Sequence, residues 1–190
     1  MKFTSSTEIA IQRELSDLDR FTLDFVSILK KYTDYVIVSG YVSILFGRAR
    51  VSEDIDIIVP QIEFPLFQSL YHDLIKNGFY CLNADDKQEV YSYIKNKTAI
   101  RFAKNNTVIP NMELKCAKNK IDDITLQKRI SVVLNKERLF ISQLELQIAF
   151  KEIVLKSPKD IEDAMHLRNV AKGHISESLI KDYTRMLDGI

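Results

Sequence analysis

Val36-Ile-Val-Ser-Gly-Tyr-Val-Ser-Ile-Leu-Phe-Gly-Arg-Ala-Arg-Val-Ser-Glu-Asp-Ile-Asp-Ile-Ile-Val59 is the stretch on which the reading of this chain turns. Tyr35 to Ser39 is a nearly continuous apolar run, the pattern of a strand buried on both faces. Gly40 ends the run, and Tyr41 to Phe46 reads as a short helix closed by Gly47. Asp54 to Val59 reads as a second strand, stopped by Pro60. Strand residues two apart share a face, so Asp54 and Asp56 project together while Ile55 and Ile57 point the other way. Paired carboxylates on an apolar strand repel unless a cation lies between them. A hard divalent ion does that, and Mg²⁺ usually also takes substrate phosphates. Taken alone, the pair reads more readily as two solvated carboxylates at a sheet edge. The Ser39-Gly40 turn adds to the metal reading, because glycine before a helix lets a phosphate approach backbone N–H groups.

Outward from this stretch, the chain reads as a mixed α/β body, residues 1–141, followed by a helical region, residues 142–190. Ser5 to Lys31 shows helical spacing behind a capping-box pattern at Ser5-Ser6-Thr7-Glu8, with a break at Ser16-Asp17. Pro65 opens a helix to about Asn77, ended by Gly78. Phe79 to Leu82 reads as a strand, Asp85 to Lys95 as a helix, and Thr98 to Ala103 as a strand. Asn105-Asn106 turns the chain into a strand over Val108 to Ala117, with Pro110 near its start. Ile121 to Ile130 reads as helix and Arg138 to Ile141 as extended. Three helical segments follow: Ser142 to Leu155, Pro158 to Val170 and Ile175 to Leu187.

Composition narrows the function classes. The 190 residues carry 27 Lys+Arg against 26 Asp+Glu, which removes the charge argument for a bulk nucleic-acid binder. Lys115 to Arg138 is locally basic and reads as a solvated face or as a contact for an acidic partner such as a tRNA backbone. Cys81 and Cys116 lie far apart, so neither a zinc knuckle nor a disulfide framework is expected, only buried free thiols. Glu8, Arg13 and Glu14 interrupt any apolar leader, and no run is long enough to span a bilayer. The expectation is a cytoplasmic protein without a membrane anchor.

In Val38-Ser39-Gly40 and Asp54-Ile55-Asp56 the chain resembles the nucleotidyltransferase superfamily, the fold of polymerase β, kanamycin nucleotidyltransferase and the minimal nucleotidyltransferases. The resemblance extends to AbiEii-type toxins, whose Gly, Arg and Ser ahead of the paired acids correspond to Gly47, Arg50 and Ser52. One departure is visible: the first glycine of the family's pair is Ser39, and Ser43 is the candidate for the hydroxyl this leaves unsupplied. The resemblance implies an α+β fold with a mixed sheet, flanking helices and a C-terminal helical region. It implies one or two Mg²⁺ ions on Asp54, Asp56 and a third catalytic acid, with Glu113 as the candidate because it alternates with Met112 and Leu114. Glu113 reads equally as a strand glutamate facing solvent or pairing with Lys115. Nucleotide contacts fall to Ser39, Gly40, Ser43, Arg50, Lys151 and Asp160. Against this, Arg50 reads as a salt-bridge partner of Glu53 or Asp54, Lys151 as helix surface, and Asp160 as a helix-dipole carboxylate.

The implied reaction transfers NMP from an NTP substrate to a hydroxyl of tRNA, a protein or a small molecule. The toxin-like resemblance also implies an antitoxin protein as partner. Two other readings stand beside it: a nucleotide-binding module without catalysis, and a structural partner in a complex.

Overall fold

The two apolar runs on either side of Gly40 form adjacent antiparallel strands, β3 (Val36–Val38) and β4 (Asp54–Val59), joined through α2 (Gly40–Leu45). The computed structural model describes residues 1–188. Before this unit come β1 (Lys2–Phe3), β2 (Glu8–Ile11) and α1 (Asp17–Leu29). After it come α3 (Phe64–Lys76), β5 (Phe79–Cys81), α4 (Lys87–Lys95), β6 (Ile100–Lys104), β7 (Asn111–Cys116) and α5 (Lys120–Gln127). A hairpin of β8 (Ile130–Leu134) and β9 (Glu137–Ile141) leads to α6 (Leu144–Phe150), α7 (Pro158–Val170) and α8 (Glu177–Leu187).

The strands form one nine-stranded sheet in the order β1-β2-β8-β9-β3-β4-β7-β6-β5. It is mixed: β4 pairs parallel with β7 and antiparallel with β3, so the acid-bearing strand lies near the middle, hydrogen-bonded on both edges. One face of β4, made by Ile55, Ile57 and Val59, is fully buried in a core shared with Phe25, Leu29 and Phe67 of α1 and α3. On the opposite face, Val36, Ile58 and Ala117 form a small separate cluster under Leu126 of α5. That second face carries Asp54 and Asp56. The C-terminal helices join the main core through Leu146, Ile148, Leu167 and Ile180. The α+β architecture expected from the sequence is therefore observed.

Two local expectations are corrected. The segment after Ser5 is not helical: the amides of Thr4 and Ser5 both donate to the Glu8 carbonyl, at 3.0 and 3.2 Å, closing a hairpin. Ile9 and Ile11 then alternate inward on a strand that pairs with β8. The helix starts instead at Ser16, whose hydroxyl accepts from the Asp19 amide at 3.1 Å while the Asp19 carboxylate accepts from the Ser16 amide at 2.8 Å. The second correction is at Ile130, which opens β8 rather than ending α5; the β-branched run Val132-Val133 pairs across the hairpin with Leu139 and Arg138. At the end of α6 the helix widens into a π turn, Lys151–Leu155, closed by Lys156 in the left-handed region at φ 57°.

Candidate active site

Sheet register assembles the acid cluster. The parallel β4–β7 pairing sets Asp54 beside Asn111, Asp56 beside Glu113 and Ile58 beside Lys115. The antiparallel β6–β7 pairing then sets Arg101 beside Glu113. The Lys115 ammonium lies 2.6 Å from Asp56 Oδ1 and 2.7 Å from Glu113 Oε1. Arg101 donates to Glu113 Oε2 through Nε at 2.9 Å and Nη2 at 2.6 Å. Burial raises the proton affinity of Glu113, but Lys115 and Arg101 outweigh it and hold the carboxyl below its usual range. Burial also opposes the charge on Lys115, and Asp56 and Glu113 outweigh that too, so its ammonium is held above the ordinary lysine value. The Asp54 carboxylate has no ion-pair partner among the described residues; its carbonyl accepts from Ser52 Oγ at 2.9 Å.

Beside the acids runs a cavity of about 440 Å³, lined by Ser39, Gly40, Arg50, Asp54, Asp56 and Lys115. Leu146, Phe150 and Leu155 form an apolar wall, and Asp160 and Lys159 stand at the helical side. The turn at its edge is held from α6. Gln147 Nε2 donates to the Ser39 carbonyl at 3.1 Å, and its Oε1 accepts from the Ser39 amide at 3.3 Å. Ser142 Oγ fixes that amide group by donating to Gln147 Oε1 at 2.7 Å. Ser39 has φ 65° and ψ −136°, backbone that glycine adopts readily and a side-chain-bearing residue does not. Ser39 therefore holds a glycine-like conformation. Gly40 is needed for a different reason: a Cβ there would lie 2.9 Å from Arg50 Nη2, so the guanidinium packs directly on the glycine.

Arg50 is anchored from α7. Its Nη1 donates to Asp163 Oδ2 at 2.6 Å, and Arg48 binds the other oxygen of the same carboxylate. Lys151 completes this cluster, fully buried, donating to Asp163 Oδ2 at 2.7 Å and Asp160 Oδ1 at 2.8 Å. Burial drives the Lys151 pKa down; Asp160 opposes this, while Arg50 and Arg48 add to it. Asp160 is held below the usual carboxylate range because Lys151 and the Ser157 hydroxyl overcome the cost of its burial.

Six of the nine candidate contact residues therefore meet around one cavity, Ser39, Gly40, Arg50, Asp54, Asp56 and Asp160, with Ser52 beside them. Three do not line it. Glu113 faces Arg101 and Lys115. Lys151 is fully buried against Asp160 and Asp163 rather than standing on a helix surface. Ser43 is fully buried, and its hydroxyl has no hydrogen-bond partner, so it supplies nothing to the turn. The salt-bridge partners of Arg50 are likewise not Glu53 or Asp54 but Asp163, from a different part of the chain. Gln147 and Asp163 were not read from the sequence, whereas the pairing of Glu113 with Lys115 was one of its two readings and is observed. Lys115 carried a signal, two residues beyond Glu113 on the same strand face, and Asp163 another, one helical turn beyond Asp160.

Among the described residues no three His, Cys, Asp or Glu side chains converge into a metal-holding group. Asp54 and Asp56 offer carboxylate oxygens of the kind a hard divalent ion takes, although Lys115 holds one oxygen of Asp56 and both Glu113 oxygens are already engaged. No helix among the described residues is long and apolar enough to cross a membrane.

No family model matches the chain, and no curated protein matches it in sequence. Solved structures do. An antigenic nucleotidyltransferase-like protein from Paracoccidioides brasiliensis superposes with a TM-score of 0.55 at 18% identity, over 91% of this chain and 88% of that one. The solution structure of the antibiotic-resistance factor ANT(2'')-Ia gives a TM-score of 0.49 at 10% identity, over 92% of this chain and 94% of that one. On the first of these likenesses, the chain has a nucleotidyltransferase-like fold.

Proposed function

We propose that this chain is a Mg²⁺-dependent nucleotidyltransferase that moves NMP from an NTP to an acceptor hydroxyl, releasing pyrophosphate. The observation that carries the reading is the convergence of Asp54 and Asp56 with the Ser39-Gly40 turn and Arg50 on one cavity of nucleotide size. Bound Mg²⁺ supplies positive charge that polarises the α-phosphoryl group and stabilises the leaving pyrophosphate.

In this reading Asp54 and Asp56 hold the ion. Arg50, fixed over Gly40 by Asp163, offers its Nη2 to phosphate oxygens. Lys151 acts through others, holding Asp160 and Asp163 in place so that Arg50 stays aimed at the cavity. Phe150 and Leu155 present apolar surface for the base. Glu113 is the third acid of the cluster, held beside Asp56 by Lys115 and Arg101. Residues 1–141 carry the acids, and residues 142–190 supply the wall and the anchors. The acceptor belongs to one of three classes, tRNA, protein or small molecule, and the toxin-like sequence resemblance favours tRNA or protein, with an antitoxin as partner.

A second reading, a nucleotide-binding module without transfer, is favoured by one observation: both oxygens of Glu113 are taken by Arg101 and Lys115. Calorimetry with each of the four NTPs and Mg²⁺, paired with a pyrophosphate-release assay, separates the two. Binding with release supports transfer, and binding without release supports the module. If no NTP binds, both readings fail.

A further inference from the structure

Lys115 bridges the acid face from within. Its stem rises from β7 one register step beyond Glu113, and its ammonium returns to sit between Asp56 and Glu113 at 2.6 and 2.7 Å. These are charge-assisted contacts to two carboxylates that the sheet register forces side by side. Arg101 takes the remaining oxygen of Glu113. Asp54, by contrast, has no ion-pair partner among the described residues. Three carboxylates thus face two side-chain cations, a deficit of about one charge that a single divalent ion more than covers. Within this cluster a second divalent ion has no free carboxylate pair to hold it, because Lys115 and Arg101 occupy Glu113 and Lys115 occupies one oxygen of Asp56.

We propose that Lys115 is a built-in cation at the junction of Asp56 and Glu113, so that the site takes one divalent ion with its nucleotide, on Asp54 and Asp56, rather than two. This deepens the nucleotidyl-transfer reading and rests on it. The geometry excludes sharing. Mg²⁺ needs oxygens at about 2.0–2.1 Å in an octahedron. An ion between Asp56 and Glu113 therefore requires the ammonium to leave. Lys115 is tethered to the strand, so it competes at high effective concentration. An ammonium also has three donors. Two are spent on the carboxylates, and because Lys115 lines the cavity the third is available to a phosphate oxygen.

Mn²⁺ reports on this directly through its paramagnetic signal. The full chain is titrated with Mn²⁺ in the presence of an α,β-methylene NTP analogue, and bound ions are counted by electron paramagnetic resonance. Wild type is expected to bind one ion per chain–nucleotide complex. Lys115→Met, which keeps the length of the side chain but not its charge, is expected to bind two, the second at least tenfold tighter than any second ion in wild type. Lys115→Arg is expected to return to one. Circular dichroism checks the fold of each variant, and Lys115→Gln replaces the methionine variant if that one fails to fold. Two ions on wild type, or one on a folded charge-neutral variant, overturns the inference. Two ions with nucleotide bound to wild type leaves the nucleotidyl-transfer reading standing; no ion and no nucleotide bound removes both.

Discussion

Ser39→Gly should make the protein more stable, an unusual result for a substitution beside a candidate active site. Ser39 holds φ 65° and ψ −136°. Backbone in such a region costs a residue with a Cβ about 1–3 kcal/mol, and glycine almost nothing. Against this, glycine adds freedom to the unfolded chain, costing about 0.4–1 kcal/mol. The Ser39 hydroxyl makes no capping hydrogen bond to α2, and the Gln147 contacts are to backbone atoms, so neither is lost. The net gain is the difference of these, about 1 kcal/mol within a range of roughly 0–2.6. For a domain of this size that raises Tm by about 2–4 °C per kcal/mol. Urea denaturation followed by circular dichroism, with a thermal melt alongside, reads the change as a shifted midpoint at constant slope. A midpoint that falls would refute the argument that the Ser39 backbone is strained. Ser39→Val is the opposing control: a β-branched residue in the same conformation should lower the midpoint.

Three further outcomes follow from the same geometry. Gly40→Ala should displace the Arg50 guanidinium, because the new Cβ falls 2.9 Å from Nη2, and weaken NTP binding about tenfold or more through loss of a charge-assisted contact; calorimetry showing unchanged affinity would sink the role given to Arg50. Lys151→Met leaves Asp160 and Asp163 without their buried ammonium and should cost about 3–5 kcal/mol in urea denaturation, whereas a loss below about 1 kcal/mol would mean the cluster is not structural. Glu113 and Asp160 both have folded-state pKa values below their ordinary ones, so between those values the folded state binds fewer protons than the unfolded one. Their stabilisation is present above the ordinary values and lost as pH falls through the lowered ones. A urea midpoint measured from neutral pH down to acid should drop, and Asp160→Asn should make that drop shallower.

The sequence was most informative where structure is local. The β3–α2–β4 unit depends on an apolar run, two glycines and an alternating acid strand, all within a short window, and each element formed as read. The N-terminal segment failed because a distant strand decided it. Ser5-Ser6-Thr7-Glu8 matches a helix-start pattern, but Glu8 to Ile11 also alternates, and the unpaired edge of β8 decides between them. The strand β8 was hidden behind the α5 pattern that precedes it, although its β-branched residues were visible. The site divides along the same line. Asp54 and Asp56 share a face by strand period alone, whereas the bridge from Lys115 to Asp56 requires the parallel register of β4 and β7. The anchors Gln147 and Asp163 reach Ser39 and Arg50 from helices more than a hundred residues away, across contacts that no periodicity encodes. Burial of Lys151 was likewise unreadable, because the carboxylates that make it tolerable come from the next helix.

The most direct test of the account is covalent transfer itself. Wild-type protein and the Asp54→Ala Asp56→Ala double variant are incubated with each α-³²P-labelled NTP, Mg²⁺, total tRNA and cell lysate, and label is sought in RNA, protein and small-molecule fractions. The account predicts label in one acceptor fraction from wild type, dependent on Mg²⁺ and accompanied by pyrophosphate, and none from a folded double variant. Label transferred equally by the double variant, or bound nucleotide with no transfer to any fraction, would contradict it.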